Sequence, residues 1–163
     1  MVIRLLKVMM VSFVGLQGML YVIGNIANWS AAHSAVGYVL SMADHHVYST
    51  PIFVSITNPL LVSVALCCII AGEFLVAVLA FKGAWSMSIN IKASSAQFHA
   101  AKKYALLGCG MAMIVWFGGF IVIGGALFQM WQTEIGNSSF EGAFIYGSIS
   151  CLTLLFVNAV ESD

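Results

Sequence analysis

Four long apolar segments dominate this chain of 163 residues. They cover about residues 5–27, 60–81, 104–130 and 141–160, and each approaches the roughly 20 residues that cross a hydrocarbon core about 30 Å thick. Only 7% of the residues are charged and 61% are hydrophobic, whereas a soluble domain carries about 25% charged residues. Because so few charges cannot give a globule a hydrated surface, the sequence predicts an integral membrane protein.

The four segments are predicted to be α-helices. Inside a bilayer only helices or a closed barrel satisfy the backbone polar groups, and the alternating ten-residue strands of a barrel are absent from the sequence. Asn58-Pro59 precedes the second segment, and proline is favoured in the first turn of a helix. We therefore predict an all-α membrane protein in which residues 1–163 form one bundle of four transmembrane helices.

The basic residues predict the orientation of the bundle. Arg4 and Lys7 lie at the N-terminal edge of the first segment. The other four basic residues lie between the second and third segments and are Lys82, Lys92, Lys102 and Lys103. The stretches 28–58 and 131–140 contain no Lys or Arg. Since basic residues accumulate in cytoplasmic loops, we expect both termini in the cytoplasm.

The first segment admits a second interpretation. Arg4 and Lys7 before an apolar run also fit the charged region of a signal peptide. The run from Leu5 to about Ala27 is long enough to span a membrane, however, and no clear A-x-A cleavage site follows it. We interpret it as a retained first helix.

The outer loop 28–58 is too long for a bare connection. Residues 30–42 contain no proline and are apolar enough for a short interfacial helix on the outer surface. Trp29 precedes this stretch, as expected of an aromatic residue at a membrane interface.

The same loop holds most of the histidines. His33, Asp44, His45 and His46 are weak candidates for a copper or zinc site if the loop folds back on itself. Their spacing matches no tight metal motif, and adjacent histidines often simply face water. The metal site is therefore a minor hypothesis.

Glu73 is an ionisable residue well inside a predicted span. It lies ~12 Å from the cytoplasmic end, at 1.5 Å of rise per residue, where a charge costs at least about 2.5–3 kcal/mol. We expect it to face the bundle interior, protonated or hydrogen-bonded. One hypothesis makes it a proton relay, ion site or ligand contact, and the other makes it a carboxyl that joins two helices. The second role is the more common one.

Polar residues form a ridge on the first helix. Gln17, Tyr21 and Asn25 recur every four residues and therefore share one helix face. The ridge could line a polar path with Glu73, although hydrogen bonding to neighbouring helices is more usual.

Small residues indicate where helices approach closely. Ala143, Gly147 and Cys151 follow a small-xxx-small pattern on the fourth helix, and Gly118 and Gly125 stand one heptad apart on the third. Helix packing is the ordinary meaning of both patterns.

No catalytic pattern accompanies these features. The sequence has no CxxC pair, nucleotide-binding glycine loop or Ser/His/Asp order, and its four histidines lie outside the predicted spans, which argues against a b-type haem. We predict no cofactor and no nucleic-acid partner, but expect bound lipid. Nothing in the sequence requires an enzyme.

The chain resembles the uncharacterised bacterial family of predicted small integral membrane proteins (domain of unknown function 2165). The matching stretches, in order, are Val39–Met42, Ile56–Pro59, Glu73, Ala101-Lys102, Ile123–Gly125, Met130–Thr133 and Ala143-Phe144. The chain is a divergent member, because Tyr38, Ala126 and Ile145 stand where the family carries His, an acidic residue and Arg. The resemblance supports the four-helix topology and implies no reaction. We expect a multi-pass protein of the bacterial inner (cytoplasmic) membrane.

Three functional hypotheses follow. The first is a non-catalytic accessory subunit of a larger membrane complex, such as a respiratory or energy-converting assembly, because the chain has small loops and packing ridges. The second is a small proton-coupled transporter or channel that uses Glu73. The third is a membrane redox or metal-binding protein that uses the outer histidines.

Overall fold

Four long helices lie side by side in the computed structural model, which describes residues 1–48 and 50–161. In chain order the elements are α1 (Val2–Ala27), α2 (Trp29–Ser41), α3 (Pro59–Ile89), α4 (Ser95–Ala101), α5 (Lys103–Met113), a π-helix (Ile114–Leu127), a short 3-10 helix (Met130–Gln132) and α6 (Glu134–Asn158). Four stretches are long and apolar enough to cross a membrane, namely α1, α3, Ser95–Leu127 and α6. The predicted all-α fold with four spans is confirmed.

Polar side chains fix where several helices begin. The Asn58 side chain accepts a hydrogen bond from the Leu60 N–H, and Pro59 occupies the first turn of α3. Thr133 accepts from the Gly136 N–H in the same way at the start of α6. These caps satisfy N–H groups that have no partner inside the helix, so the signal at Asn58-Pro59 marks a real helix start.

All four spans begin before the apolar segments that predicted them, whereas the third and fourth end at Leu127 and Asn158, short of the predicted 130 and 160. Helix α3 continues to Ile89, and α6 begins at Glu134. Hydropathy detects only the part of a helix that suits the hydrocarbon core, whereas backbone hydrogen bonding continues into more polar sequence. The predicted starts therefore lie inside longer helices.

Glycines allow the helices to approach closely. A Cβ on Gly18 of α1 would lie 2.8 Å from the Glu73 carbonyl oxygen of α3. A Cβ on Gly108 of α5 would lie 2.7 Å from the Ala80 backbone nitrogen. Small side chains let backbones meet in this way, and α3 is consequently held between α1 and α5.

The two ends of the bundle differ in charge. At one end, which we name the basic end, Arg4 donates hydrogen bonds to the carbonyl oxygens of Ile91 (3.0 Å) and Ala93 (2.6 Å). Lys7 and Lys102 lie at the same end beside Glu161. The opposite end carries α2 and the 3-10 helix, and we name it the loop end.

Helix α2 covers the loop end of α3. A single residue, Asn28, separates it from α1, and Met42 caps its C-terminal end in the left-handed conformation (φ 53°). It buries Leu40 against Val62 and Phe128. The Ile56 N–H donates to the Leu40 carbonyl oxygen at 2.8 Å. A helix is thus present in the loop 28–58, and its position at the outer membrane interface remains a prediction.

Candidate functional site

Glu73 is buried where α1 crosses α3. Its side chain is 1% exposed, and Asn25 Nδ2 of α1 donates a hydrogen bond of 2.9 Å to Glu73 Oε2. The close approach at Gly18 brings α1 against the backbone of Glu73 itself. A carboxyl inside a membrane protein needs such partners, because an isolated charge there is costly.

Three aromatic rings from three helices meet beside this carboxyl. Tyr21 lies edge-to-face with Trp116 (centroids 6.0 Å apart) and with Tyr146 (5.4 Å), and Trp116 lies 5.8 Å from Tyr146. Edge-to-face pairs at these distances are favourable beyond their burial alone. Tyr21, Trp116 and Tyr146, which we name the aromatic trio, connect α1, the π-helix and α6.

A cavity of about 460 Å³ occupies the loop-end half of the bundle. Glu73, Asn25 and the aromatic trio line its inner part. The rest of its wall is mainly apolar and comes from α2, α3, the π-helix and α6. Cavities of this size hold small molecules in other proteins, and this one combines an apolar wall with a few polar groups at one end.

The π-helix forms one wall of the cavity. It runs from Ile114 to Leu127 and presents Trp116, Gly119 and Phe120 to the cavity. π-Helical segments are rare and occur frequently at functional sites. The wall that carries Trp116 therefore departs from regular α-helical geometry along the length of the cavity.

The cavity lies away from the basic residues. Lys82 is the next ionisable residue after Glu73 on α3 and lies about 13 Å further along the helix axis at 1.5 Å per residue. In the part of the chain that the structure describes, the salt bridges formed by Lys or Arg involve Glu161 and not Glu73. The carboxyl of Glu73 therefore has a polar but uncharged partner.

The residues of the polar ridge on α1 lie in two different environments. Tyr21 and Asn25 line the cavity with Glu73, as the hypothesis of a polar path requires. Gln17 lies one turn closer to the basic end, and its Nε2 atom is buried without a hydrogen-bond partner among the described residues. The ridge thus reaches from the cavity into the half of the bundle that ends at the basic end.

The predicted packing residues differ in their surroundings. Ala143 and Gly147 are buried on α6, and a Cβ on Gly147 would lie 3.8 Å from the Phe117 backbone nitrogen. Cys151 is only partly buried. A Cβ on Gly125 would meet the Phe140 ring at 2.5 Å, whereas one on Gly118 would have no neighbour within 4 Å.

The outer histidines do not come together. His33 Nε2 lies 3.1 Å from Ser63 Oγ and 3.2 Å from the Pro59 carbonyl oxygen, which ties it to α3. Among residues 1–48 and 50–161, no group of three or more His, Cys, Asp or Glu side chains is arranged to hold a metal ion. The geometry gives the metal hypothesis no support.

The remaining loop residues have local partners. Tyr38 donates a hydrogen bond of 3.0 Å to Asp44, and this bond raises the pKa of Tyr38. Burial lowers the pKa of His45, an effect that the neighbouring Asp44 opposes and His46 reinforces. These contacts hold the end of α2 and have no obvious relation to the cavity.

A known protein family matches this chain along nearly its whole length. The family described as "Predicted small integral membrane protein (DUF2165)" matches residues 3–160. The chain belongs to this family. No curated protein and no solved structure gives a significant match. Together with the four candidate spans, the family match establishes an integral membrane protein whose apolar helices suit contact with lipid.

A second buried polar cluster closes the basic end of this DUF2165 member. Glu161 forms salt bridges with Lys7 (2.6 Å) and Lys102 (3.0 Å), and the side chains of the two lysines are 2% and 0% exposed. Both lysines also donate to the Ala159 carbonyl oxygen. Cations are favoured at the negative end of a helix, so this cluster fixes the end of α6 to α1 and α5.

Lys7 and Lys102 favour the ionised form of Glu161. Burial alone would raise its pKa, but the hydrogen bonds and charges of Lys7 and Lys102 outweigh burial and lower the pKa of Glu161 below its ordinary value of 4.5. In the sequence the two lysines indicate only the orientation of the bundle. The missed signal was an acidic residue just after the last apolar segment, on the side where all basic residues lie.

Proposed function

We propose that this protein is a small proton-coupled transporter or channel that uses Glu73. The observation that supports it is the position of this buried carboxyl at the inner end of a cavity within the membrane-spanning helices. A carboxyl that only joined two helices would need no cavity beside it. A carboxyl that exchanges a proton for a solute needs space for the solute.

The lining of the cavity favours a cationic organic solute. A carboxylate attracts a cation most strongly where water is scarce, and the faces of aromatic rings attract organic ammonium groups. Glu73 and the aromatic trio supply both features at one end of the cavity. The apolar walls suit the hydrocarbon part of such a molecule, and the proton on Glu73 would leave as the cation arrives.

Transport measurements test this proposal. With purified protein in proteoliposomes, we expect an imposed pH gradient to drive uptake of methyltriphenylphosphonium, a lipophilic cation. Glu73→Gln should lower this uptake at least tenfold, because the amide neither holds a negative charge nor exchanges a proton. Glu141→Gln is the matched control, since Glu141 is an exposed carboxyl on α6. Equal uptake by wild type and Glu73→Gln would refute the proposal.

An accessory-subunit role is the second proposal. Its support is the small loops and small-residue ridges of the sequence, together with the large apolar side chains that the helices expose, which suit the helices of partner proteins as well as lipid. Purification from native membranes in a mild detergent tests it. Co-migration with a fixed set of other membrane proteins is the expected result, and migration with lipid alone would contradict it.

We also propose that the protein lies in the bacterial inner membrane with both termini in the cytoplasm. The support is the clustering of Arg4, Lys7 and Lys102 at one end of the bundle, together with the preference of basic residues for the cytoplasm. A fluorescent protein fused to the C-terminus should fluoresce, and a fused alkaline phosphatase should be inactive. An active phosphatase fusion would show that the C-terminus lies outside the cytoplasm and would contradict this orientation.

A further inference from the structure

Three buried polar atoms lie between the cavity and the basic end. They are Gln17 Nε2, Ser150 Oγ and Thr153 Oγ1, and within the described residues none of them has a hydrogen-bond partner. The Ser150 and Thr153 side chains belong to residues that are 0% and 1% exposed. A buried polar group without a partner costs free energy, so three such groups in one small bundle require an explanation.

The three groups lie at neighbouring levels of α1 and α6, and we name them the polar column. Two contacts fix how these helices are aligned: Tyr21 packs against Tyr146, and Lys7 Nζ donates to the Val157 carbonyl oxygen at 3.4 Å. The two helices are therefore antiparallel, so residue numbers rise along α1 in the direction in which they fall along α6. Gln17, one turn from Tyr21, is at the level of Ser150, one turn from Tyr146.

Thr153 continues the column towards the basic end. It lies about one turn beyond Ser150 and about one turn before Val157. The column thus begins at the aromatic trio beside Glu73 and ends at the cluster of Lys7, Lys102 and Glu161. It spans the half of the bundle that the cavity does not reach.

We propose that Gln17, Ser150 and Thr153 line a narrow file of water molecules that carries protons between Glu73 and the basic end. Buried polar groups that lack protein partners are ordinarily satisfied by buried water. Hydroxyl groups both donate and accept hydrogen bonds, which a proton relay requires. This inference rests on the proposed function, because it supplies the second half of the proton route that a Glu73 transporter needs.

The titratable and charged groups along the route are few. Tyr21 of α1 and Tyr146 of α6 stand beside Glu73, while the π-helix contributes the neutral Trp116. The basic end holds Lys7, Lys102 and Glu161. The thiol of Cys109 on α5 is buried in the hydrophobic core of the bundle. The middle of the route is polar and uncharged.

The chemistry of the column favours protons over metal ions. A bound Ca²⁺ takes 6–8 oxygen ligands, and Mg²⁺ needs an octahedral set. Two hydroxyl groups and one amide cannot provide either set, and the neighbouring Val11, Val14 and Val157 are apolar and buried. Water molecules joined by hydrogen bonds can pass a proton without such ligands.

Proton flux tests the route. In proteoliposomes that contain a pH-sensitive dye, we expect Ser150→Ala combined with Thr153→Val to lower proton movement driven by a cation gradient at least fivefold. Gln17→Leu should act in the same direction. Ser148→Ala is the control, because Ser148 is two residues from Ser150 and faces another side of α6. Unchanged flux in the combined variant would overturn the inference.

Binding of the cation separates this inference from the function on which it rests. Methyltriphenylphosphonium should bind the combined variant as tightly as wild type, since the cavity is untouched. If binding and transport both persist unchanged in the combined variant, the proposed role of Glu73 in transport stands and the proposed proton route is wrong. A wild-type protein that neither binds the cation nor moves protons would remove the proposed function itself.

A direct view of the column does not depend on transport. In a high-resolution crystal structure from lipidic cubic phase, we expect ordered water within hydrogen-bond distance of Gln17 Nε2, Ser150 Oγ and Thr153 Oγ1. If both hydroxyl groups instead donate to carbonyl oxygens of α6 and no water lies between α1 and α6, the inference is wrong.

Discussion

Asn25 and Glu73 are joined by a hydrogen bond of 2.9 Å although 48 residues separate them in the chain. The bond connects α1 to α3 at the cavity and gives the Glu73 carboxyl a defined position. It also explains the spacing of the ridge on α1, because Tyr21 and Asn25 face the same carboxyl from successive turns.

The first prediction concerns the energy of this bond. Asn25→Ala should lower the free energy of unfolding by about 1–3 kcal/mol, the cost of leaving a buried polar group without its partner. A double-mutant cycle with Glu73→Leu, measured by unfolding in mixed detergent micelles, should show a coupling of about 0.5–3 kcal/mol. Asn28→Ala is the control, because the exposed Asn28 side chain bonds only to its own helix. Additive effects of Asn25→Ala and Glu73→Leu would contradict the prediction.

The second prediction concerns the contact of α1 with α3. Gly18→Ala should destabilise the protein by about 1–3 kcal/mol, the usual cost of overpacking, because its new Cβ would lie 2.8 Å from the Glu73 carbonyl oxygen. Gly24→Ala on the same helix has open space around it and should be neutral or stabilising by up to about 1 kcal/mol, since Ala favours a helix over Gly. Thermal unfolding of both variants in the same detergent is the measurement. A Gly18→Ala variant as stable as Gly24→Ala would show that helix propensity and not packing decides the effect.

The third prediction concerns the stability of the folded protein at acidic pH. The pKa of Glu161 is lower in the folded protein than its ordinary value of 4.5. Its contribution to stability is therefore complete above pH 4.5 and is lost as the pH falls through the lowered folded-state pKa. The melting temperature of wild type should consequently fall on acidification below that value.

A matched variant isolates this contribution. Glu161→Gln should be less stable than wild type by about 1–3 kcal/mol at neutral pH, because Lys7 and Lys102 lose their charged partner, and the difference should shrink in acid. Glu141→Gln should keep the acid sensitivity of wild type. If Glu161→Gln melts like wild type at every pH, the salt bridges contribute nothing.

The fourth prediction concerns α2. His33→Ala removes the contacts of α2 with Ser63 and the Pro59 carbonyl oxygen and should loosen the cover over the cavity. Amide hydrogen exchange in α2 should become roughly five- to tenfold faster, equivalent to about 1 kcal/mol for one hydrogen bond. His46→Ala, at an exposed position, should leave exchange unchanged. Identical exchange in both variants would mean that apolar packing alone holds α2.

The sequence predicted the apolar architecture because hydropathy is a local property. Four runs of apolar residues suffice to predict four spans, and Asn58-Pro59 suffices to predict the start of α3, since the cap uses adjacent residues. Glu73 could be singled out as a buried carboxyl for the same reason. The helix ends at Ile89 and Glu134 lie in more polar sequence, where hydropathy loses its signal.

The tertiary structure decided the rest, because the remaining features depend on which helix faces meet. Trp116 and Tyr146 are ordinary aromatic residues in the sequence, and only the packing of the π-helix against α6 and α1 places them beside Tyr21. The pairing of Lys7 with Glu161 joins residues 154 positions apart, which no local pattern encodes. Composition and spacing thus determined a four-helix membrane protein with a carboxyl at depth, whereas helix packing alone created the cavity beside that carboxyl and the polar column behind it.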